Sequence, residues 1–247
     1  MPARRFRNQY QSSSVPELTI LMPVYDERAT VEEAIRRALD AELPVESREL
    51  VVVDDGSTDG TGQLLRERDW GSDVRVVFHE SNQGKGRAVR TGIDHASGTW
   101  STILDADLEY DPADIADLLE PLRSGDAEVV FGTRGFASHS SFSFWYVVGN
   151  KIVTMVANVL FDSWLADIMT CHKAMRTELW RSLDLSARGF ELEGEITAKV
   201  LASGRRVYEV PITYRARGRE EGKKLTGADG LRVIATLARE RLRAARR

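Results

Sequence analysis

Three carboxylates stand at alternate positions along Asp105–Glu109, a segment with the sequence DADLE. If the segment is extended, Asp105, Asp107 and Glu109 project on the same side. Their like charges then repel one another unless a cation offsets them, and carboxylate oxygens are hard ligands that suit Mg²⁺ or Mn²⁺. The spacing therefore predicts a divalent-metal site of the kind that commonly holds a diphosphate. The alternative is a solvated acidic turn that caps a helix beginning at Pro112.

Other polar residues are concentrated after predicted strands. In an open α/β sheet, ligands bind beyond the carboxyl ends of the strands, so polar side chains there are candidates for a binding site. Together these segments predict one ligand-binding edge. They are, in chain order, Pro23–Glu27, Asp54–Gly60, Asn82–Gly86, Asp105–Glu109 and Gly132–Arg134.

Each of these segments taken alone has more than one interpretation. Asp54 and Asp55 suit either ordinary turn and helix-cap chemistry or hydrogen bonds to a nucleotide base or ribose. Tyr25 suits base stacking or plain packing. Lys85 stands between two glycines ahead of a predicted helix, which indicates backbone N–H groups near an anion. The third glycine of the dinucleotide fingerprint is missing, which disfavours a nicotinamide site.

Short Val-, Ile- and Leu-rich runs alternate with helical patterns in the first half of the chain. Such nearly continuous apolar runs are typical of strands buried on both faces. The alternation predicts an α/β fold with a mostly parallel central sheet flanked by helices, and Thr30 with Glu33 predicts a capping box. Predicted strands are Leu18–Met22, Leu50–Val53, Val74–Phe78, Ser101–Leu104 and Val129–Phe131; predicted helices are Thr30–Ala41, Gly60–Asp69, Gly86–Ala96 and a fourth that Asp111 caps.

The second half of the chain predicts amphipathic helices. An apolar stripe recurs at spacings of three and four, and we expect it to face the core. The aromatic cluster Phe142–Tyr146 ahead of it favours the alternative, contact with a membrane interface. A helix over 193–203, a strand over Val207–Thr213, a basic loop and a last helix over Asp229–Ala245 follow. The stripe consists of Trp145, Val148, Ile152, Met155, Val156 and Val159.

Composition and charge narrow the class of protein. The 247 residues are 42% apolar and 29% charged, which is typical of a soluble globular chain. Nothing in the sequence resembles a nucleic-acid-binding module, and the single cysteine, Cys171, excludes an intramolecular disulfide. The net charge of −4 is uneven, because Tyr214–Arg247 holds 11 Lys and Arg residues against 4 Asp and Glu residues. That excess predicts either an anionic partner or a solvated terminal helix.

The sequence predicts no membrane span and no signal peptide. No stretch reaches the about 18 apolar residues that a spanning helix needs, and charged residues interrupt the best candidate, Phe142–Met169. No apolar run follows Arg4, Arg5 and Arg7, so we expect a flexible tail over 1–16. We therefore expect a cytoplasmic protein that meets a membrane, if at all, as a peripheral protein on its cytosolic face.

Four motifs resemble those of inverting family 2 glycosyltransferases of the GT-A fold: LMPVYDE at 21–27, VVDDGSTDGT at 52–61, NQGKG at 82–86 and DADLEYDP at 105–112. Downstream motifs resemble polyprenol- or dolichol-phosphate sugar synthases, above all the mannosyl members: DIMTCHKA at 167–174, FELE at 190–193, YRAR at 214–217 and EGKKL at 221–225. The resemblance implies a single Rossmann-like GT-A domain over 17–235, followed by a basic helix end over 236–247.

The resemblance also implies roles for the matching residues. Asp105 and Asp107 would be catalytic, and with Glu109, where many mannosyl members carry Gln, would hold Mg²⁺ or Mn²⁺. Arg217, Lys223 and Lys224 would bind the acceptor phosphate. Glu191 and Glu193 would line the acceptor site or merely begin a helix. The nucleotide-sugar site would comprise Pro23, Tyr25, Glu27, Val53, Asp54, Asp55, Lys85, Asp105, Ala106, Asp107, Arg134, Arg217 and Lys224.

The implied reaction moves a sugar, most simply mannose from GDP-mannose, to a polyprenyl or dolichyl phosphate at a membrane surface. The acceptor oxygen is already anionic, so it attacks the sugar C1 without a strong general base. The metal and the basic side chains would stabilise the leaving nucleoside diphosphate. Alternatives that stay open are a UDP-sugar donor, a soluble acceptor such as a natural product, and a non-catalytic nucleotide-sugar-binding protein. The sequence does not set the oligomeric state.

Overall fold

The computed structural model describes residues 15–139, 144–216 and 227–246. Within them, seven strands form one sheet in the order β3-β2-β1-β4-β6-β5-β7. The pairs among β1–β4 are parallel, as is β5 with β7, whereas β6 lies antiparallel between β4 and β5. The predicted mostly parallel α/β sheet is confirmed. The strands are β1 Leu18–Val24, β2 Arg48–Asp54, β3 Val74–Phe78, β4 Trp100–Ile103, β5 Val129–His139, β6 Lys173–Arg176 and β7 Val207–Tyr214.

Eight helices flank this sheet in the described part of the chain. The predicted helices appear with ends shifted by a few residues, and a short 3₁₀ helix, Pro112–Asp114, follows the Asp111 cap as expected. Sequence analysis missed the four-residue strand β6 and the six-residue helix α6, which are too short to show a period. The helices are α1 Val31–Asp40, α2 Thr61–Glu67, α3 Lys85–His95, α4 Ile115–Ser124, α5 Phe144–Phe161, α6 Thr177–Ser182, α7 Leu192–Ala202 and α8 Gly227–Ala244.

The central strands are buried on both faces, as their unbroken apolar runs predict. Val51, Val52 and Val53 of β2 are each at most 1% exposed, because both faces of the sheet are covered by helices and connecting segments. A second, smaller apolar cluster joins α5, α7 and α8 through Val153, Ala198 and Val233 among others. The chain therefore has a main hydrophobic core around the sheet and a second, smaller hydrophobic cluster among the helices α5, α7 and α8.

The prediction that the apolar stripe of α5 faces the core is wrong. Trp145 and Val159 are each 77% exposed, and Met155 is 60% exposed. The polar edge faces inward instead: Thr154 is buried and its hydroxyl accepts from the Ile168 amide, while Asn158 accepts from and donates to the backbone of Leu165. Leu165 and Ile168 lie in the loop between α5 and β6. The backbone of this loop needs hydrogen-bond partners, and the polar edge of α5 supplies them.

Helix α5 also departs from the expectation that no segment is long and apolar enough to span a membrane. By length and composition alone, it is the one helix in the described residues that qualifies. Core helices of globular proteins meet the same test, but little of α5 is buried. The finding therefore marks α5 as an unusually apolar surface helix.

His172 is a fully buried ring without hydrogen bonds in the described structure. It stacks on Tyr110 with ring centroids 4.7 Å apart, and neither ring nitrogen has a partner there. Burial lowers the pKa of His172 to about 4, because the charged imidazolium is poorly solvated in the interior. His172 therefore stays neutral in the folded protein at pH values where the unfolded chain takes up a proton.

We expect His172→Phe to make the protein less sensitive to acid. Between the unfolded pKa of 6.5 and the folded value of about 4, the unfolded state binds more protons, so stability falls as the pH falls. Phenylalanine keeps the stack on Tyr110 and does not titrate. Urea unfolding measures how far the free energy of unfolding falls between about pH 7 and pH 4.5. We expect this fall to be about 2 kcal/mol smaller in the variant than in wild type. An equal fall in both proteins would contradict the assignment.

Candidate active site

A cavity of about 350 Å³ lies at the carboxyl ends of the parallel strands. Val53 and Asp54 do not line it, and Arg217, Lys223 and Lys224 lie outside the described residues. The other residues predicted for the site are brought together on its wall, although they come from segments more than 100 residues apart. They are Pro23, Tyr25, Glu27, Asp55, Lys85, Asp105, Ala106, Asp107, Glu109 and Arg134.

The acidic segment after β4 is a turn, so the prediction that it is extended is wrong. Strand β4 ends at Ile103, and Leu108 adopts a positive φ of 62°. The three carboxylates line the same cavity but have different hydrogen-bond partners. Asp105 accepts from Lys85 Nζ at 2.7 Å, Asp107 accepts from the Glu109 amide at 3.0 Å, and Glu109 accepts from the Tyr214 hydroxyl.

The residues of this turn fit a divalent cation that arrives with a phosphate ligand. No group of three acidic, His or Cys side chains in the described residues is placed to hold a metal by itself. Mg²⁺ typically uses only one or two carboxylates, together with substrate phosphates and water. Asp105, Asp107 and Glu109 all line the cavity and offer hard oxygen donors of this type.

Lys85, the first residue of α3, stands between two carboxylates. Its ammonium group donates to Asp105 and lies 3.7 Å from Glu193 Oε1. Burial acts to lower the pKa of Lys85, but the charges of Asp105 and Glu193 outweigh it, so the pKa is raised above the usual lysine value. Lys85 is therefore a permanent cation at the cavity wall.

Glu193 in turn is held by a second lysine. Lys173 Nζ is fully buried and donates to Glu193 Oε2 and to the carbonyl oxygens of Ile168 and Thr170. Lys173 and Glu193 both lie in the downstream motifs, but nothing in the sequence shows that they pair. The four side chains Asp105, Lys85, Glu193 and Lys173 thus form a row of alternating charge that runs from the cavity into the interior.

Arg134, in the middle of β5, is held by a carboxylate that sequence analysis did not single out. Its Nε and Nη2 donate to the two oxygens of Asp167 at 2.7 and 3.0 Å, and both side chains are less than one tenth exposed. Burial acts to raise the pKa of Asp167, but the Arg134 charge outweighs it and lowers that pKa. The bidentate pair fixes the guanidinium at the cavity wall.

The two carboxylates at the end of β2, Asp54 and Asp55, form hydrogen bonds with nearby loops. Asp55 accepts from the amides of Gln83 and Gly84 at 3.0 and 2.8 Å and contacts His79 Nδ1 at 2.6 Å. Asp54 accepts from Ser57 instead and is buried away from the cavity wall. Asp55 thus shapes the cavity by fixing the Gln83–Gly84 backbone, and its predicted contact with base or ribose stays a prediction.

The glycines beside Lys85 provide close backbone packing. A Cβ on Gly84 would lie 2.3 Å from the Arg188 carbonyl oxygen, and one on Gly86 would lie 2.5 Å from that of Ala187. The Gly84 amide already donates to Asp55, and the Gly86 amide donates to the Arg188 carbonyl at 2.6 Å. The amides of Gly84 and Gly86 are therefore already used and do not receive an anion, while the side chains of Lys85 and Asn82 line the cavity.

The capping box predicted at α1 is also absent. The Thr30 hydroxyl donates to Glu27 Oε2 at 2.8 Å, while Glu33 pairs with Arg36 and Arg37. Because Glu27 lines the cavity, the Thr30 side chain positions a residue of the site rather than capping the N-terminus of α1.

Fold and cavity together define an α/β protein with a charged site at the carboxyl edge of a mostly parallel sheet. Residues 19–183 match the model of glycosyl transferase family 2. The chain belongs to this family and has the GT-A type of fold.

Relatives and solved structures agree with this membership. The chain is 30% identical to a dolichol-phosphate mannosyltransferase of Pyrococcus furiosus over 84% of its length and 59% of that protein. It is 30% identical to a polyprenol monophosphomannose synthase of Mycolicibacterium smegmatis, over 80% of this chain and 77% of that one. It spans only 49% to 63% of the length of three relatives that it matches, the P. furiosus protein among them.

The fold is similar to that of glucosyl-3-phosphoglycerate synthase from Mycobacterium tuberculosis, solved with Mn²⁺, UDP and glucosyl-3-phosphoglycerate. The TM-score is 0.69 at 22% identity, over 91% of this chain and 80% of that one. At this identity the likeness establishes the fold.

We expect Asp167→Asn to lower the free energy of unfolding by about 3 kcal/mol, because it leaves the Arg134 guanidinium buried without its counter-charge. Urea denaturation measures the change. Arg36→Gln is a matched control, since it removes exposed ion pairs with Glu33 and Asp40 and should change the free energy of unfolding far less than Asp167→Asn does. Equal small losses in the two variants would show that Asp167 does not hold Arg134.

Proposed function

We propose that this chain transfers a sugar from a nucleotide sugar to a polyprenyl or dolichyl phosphate, with inversion at the sugar C1. Mannose from GDP-mannose is the proposed donor, and Mg²⁺ or Mn²⁺ is the proposed cofactor. The observation that carries the proposal is that one cavity brings together the acidic turn, Lys85 and Arg134. The names of the P. furiosus and M. smegmatis relatives support the mannosyl donor and the lipid acceptor.

The charges of the cavity suit the departure of a nucleoside diphosphate. One or two of the carboxylates Asp105, Asp107 and Glu109 would hold the divalent cation, which when bound supplies positive charge to the diphosphate. Arg134 and Lys85 are cations on the same wall and stabilise the negative charge that develops there. Because Asp167 already holds the Arg134 guanidinium before any ligand binds, that group needs little reorganisation during the reaction.

The bond changes need no strong base. An anionic oxygen of the acceptor phosphate forms the new bond to C1, and the bond from C1 to the diphosphate oxygen breaks with its electron pair. Attack opposite the leaving group inverts C1. Asp105 and Asp107 then act electrostatically rather than as proton carriers, and Arg217, Lys223 and Lys224 are the proposed ligands of the acceptor and donor phosphates.

The exposed face of α5 supports a lipid acceptor. Tyr146 of this helix lines the cavity, and its neighbours Phe144 and Trp145 are 69% and 77% exposed. Trp164, just beyond the helix, is 90% exposed. Large aromatic side chains favour the membrane interface, and Phe144 and Trp145 directly precede Tyr146, which lines the cavity. We therefore propose that α5 rests on the membrane and admits the polar end of the lipid from that side.

Basic residues on α8 complement this surface. Helix α8 packs against α5, and Arg241 donates to the Leu160 carbonyl at the end of α5. Arg232, Arg239 and Arg243 lie on the same helix with side chains at least 48% exposed, and each also pairs with Asp229 or Glu240. An apolar helix beside a row of arginines is the combination that anionic lipid surfaces attract.

A second candidate keeps the fold and changes the substrates to a UDP-sugar and a soluble acceptor. It is favoured by the fold likeness to the M. tuberculosis synthase, whose structure contains UDP and glucosyl-3-phosphoglycerate. Assays with GDP- and UDP-sugars, each offered with polyprenyl phosphate and with small phosphorylated acceptors, separate the two candidates.

Purified protein with Mn²⁺ and GDP-mannose should convert polyprenyl phosphate to a mannosylated lipid that mass spectrometry detects. Asp107→Asn should lower the turnover by about 100-fold or more, because it removes one electrostatic group of the site. Asp111→Asn is the matched control: it makes the same change four residues away, and Asn still caps the Ala113 amide. Absence of product with every donor and acceptor would refute the proposed function.

We expect the double variant Trp145→Ser/Val159→Ser to bind anionic liposomes at least about 10-fold less well than wild type, because it removes two exposed apolar side chains from α5. Flotation with vesicles that contain anionic lipid measures the loss. Tyr208→Ser on β7, which also removes an exposed apolar side chain, is the control and should float like wild type. Equal flotation of all three proteins would show that α5 does not contact the membrane.

A further inference from the structure

One buried carboxylate oxygen at the cavity wall, Glu193 Oε1, has no hydrogen-bond partner in the described structure. Glu193 is 3% exposed and lines the cavity. Its Oε2 accepts from Lys173, but its Oε1 has no hydrogen-bond partner in the described structure. Buried acceptors are nearly always satisfied in folded proteins, so an unpaired carboxylate oxygen calls for an explanation.

The nearest donor to this oxygen is Lys85. Its Nζ lies 3.7 Å from Glu193 Oε1, beyond hydrogen-bond range, because it donates to Asp105 at 2.7 Å instead. An ammonium group has three donors, and within the described residues Lys85 uses one of them. A shift of roughly 1 Å would bring it to the distance of a charge-assisted hydrogen bond with Glu193.

We propose that Glu193 is a positioning residue. When a diphosphate and its cation occupy Asp105, Glu193 accepts the hydrogen bond that Lys85 otherwise donates to Asp105. In the structure described here Asp105 neutralises Lys85. Once Asp105 faces a cation, Lys85 needs another counter-charge, and Glu193 Oε1 is the nearby acceptor that supplies it. Lys85 then stays charged and aimed at the diphosphate oxygens rather than being repelled from the site.

Lys173 makes this exchange possible. Lys173 is fully buried and donates hydrogen bonds to Glu193 Oε2 and to two backbone carbonyls. These bonds hold the Glu193 carboxylate in place, so it does not move toward Lys85 or away from it. The moving part is therefore the flexible lysine side chain at the cavity, while the carboxylate stays fixed. This inference rests on the proposed function, because it assumes that a diphosphate enters the cavity.

A double-mutant cycle tests the proposal through binding rather than turnover. Isothermal titration calorimetry would measure the Kd of GDP, or of UDP if UDP binds better, with Mn²⁺ for wild type, Glu193→Gln, Lys85→Met and the double variant. If Glu193 acts through Lys85, Glu193→Gln weakens binding about 10-fold in the wild-type background. It then has little effect in the Lys85→Met background. Glu178→Gln, the same change at an exposed position on α6, should bind like wild type.

The outcomes separate this proposal from the proposed function. If wild type binds no nucleoside diphosphate, the proposed function fails. If wild type binds but Glu193→Gln weakens binding equally with and without Lys85, or leaves it unchanged, the positioning role is wrong. Should Glu193→Gln alone unfold the protein because Lys173 loses its counter-charge, Glu193→Gln/Lys173→Met removes the buried pair together and takes its place in the cycle.

Discussion

The buried ammonium group of Lys173 is the constraint on which the site depends. It has no access to solvent, and leaving it without Glu193 would cost several kcal/mol. The pair therefore fastens the start of α7 to β6. Through Glu193 and Lys85 the same row of charges reaches Asp105 in the turn after β4. Three elements and one turn are thus held around the cavity by side chains whose charges alternate.

Helix α5 shows how local pairing overrides a simple helical pattern. Its apolar stripe is the face that a core would normally take, but Thr154 and Asn158 are used to satisfy the backbone of the loop that follows. The small residue Ala157 lies on the buried side, so the helix packs closely on α7 and α8 there. The large apolar side chains are left outside, next to a cavity that Tyr146 of the same helix lines.

Much of the fold and about half of the site follow from local sequence. Unbroken apolar runs such as Val51–Val53 predict buried parallel strands, and the carboxyl ends of parallel strands must meet at one edge of the sheet. That rule alone places Tyr25, Asp55, Asp107 and Arg134 near one another. The short elements β6 and α6 escaped prediction because four to six residues do not establish a period.

By itself the sequence determined the α/β class, the edge of the sheet that carries the polar residues, and the family, because these depend on local periodicity and on motifs that are contiguous in the chain. Tertiary structure alone decided how the charges pair. Asp167 with Arg134 and Glu193 with Lys173 are separated by 33 and 20 residues, and no local rule links them. Tertiary structure also made the segment after Asp105 a turn and left the apolar stripe of α5 exposed while its polar edge is buried. Burial and hydrogen-bond satisfaction are properties of the whole packed chain, so they select one arrangement among several that the sequence pattern allows.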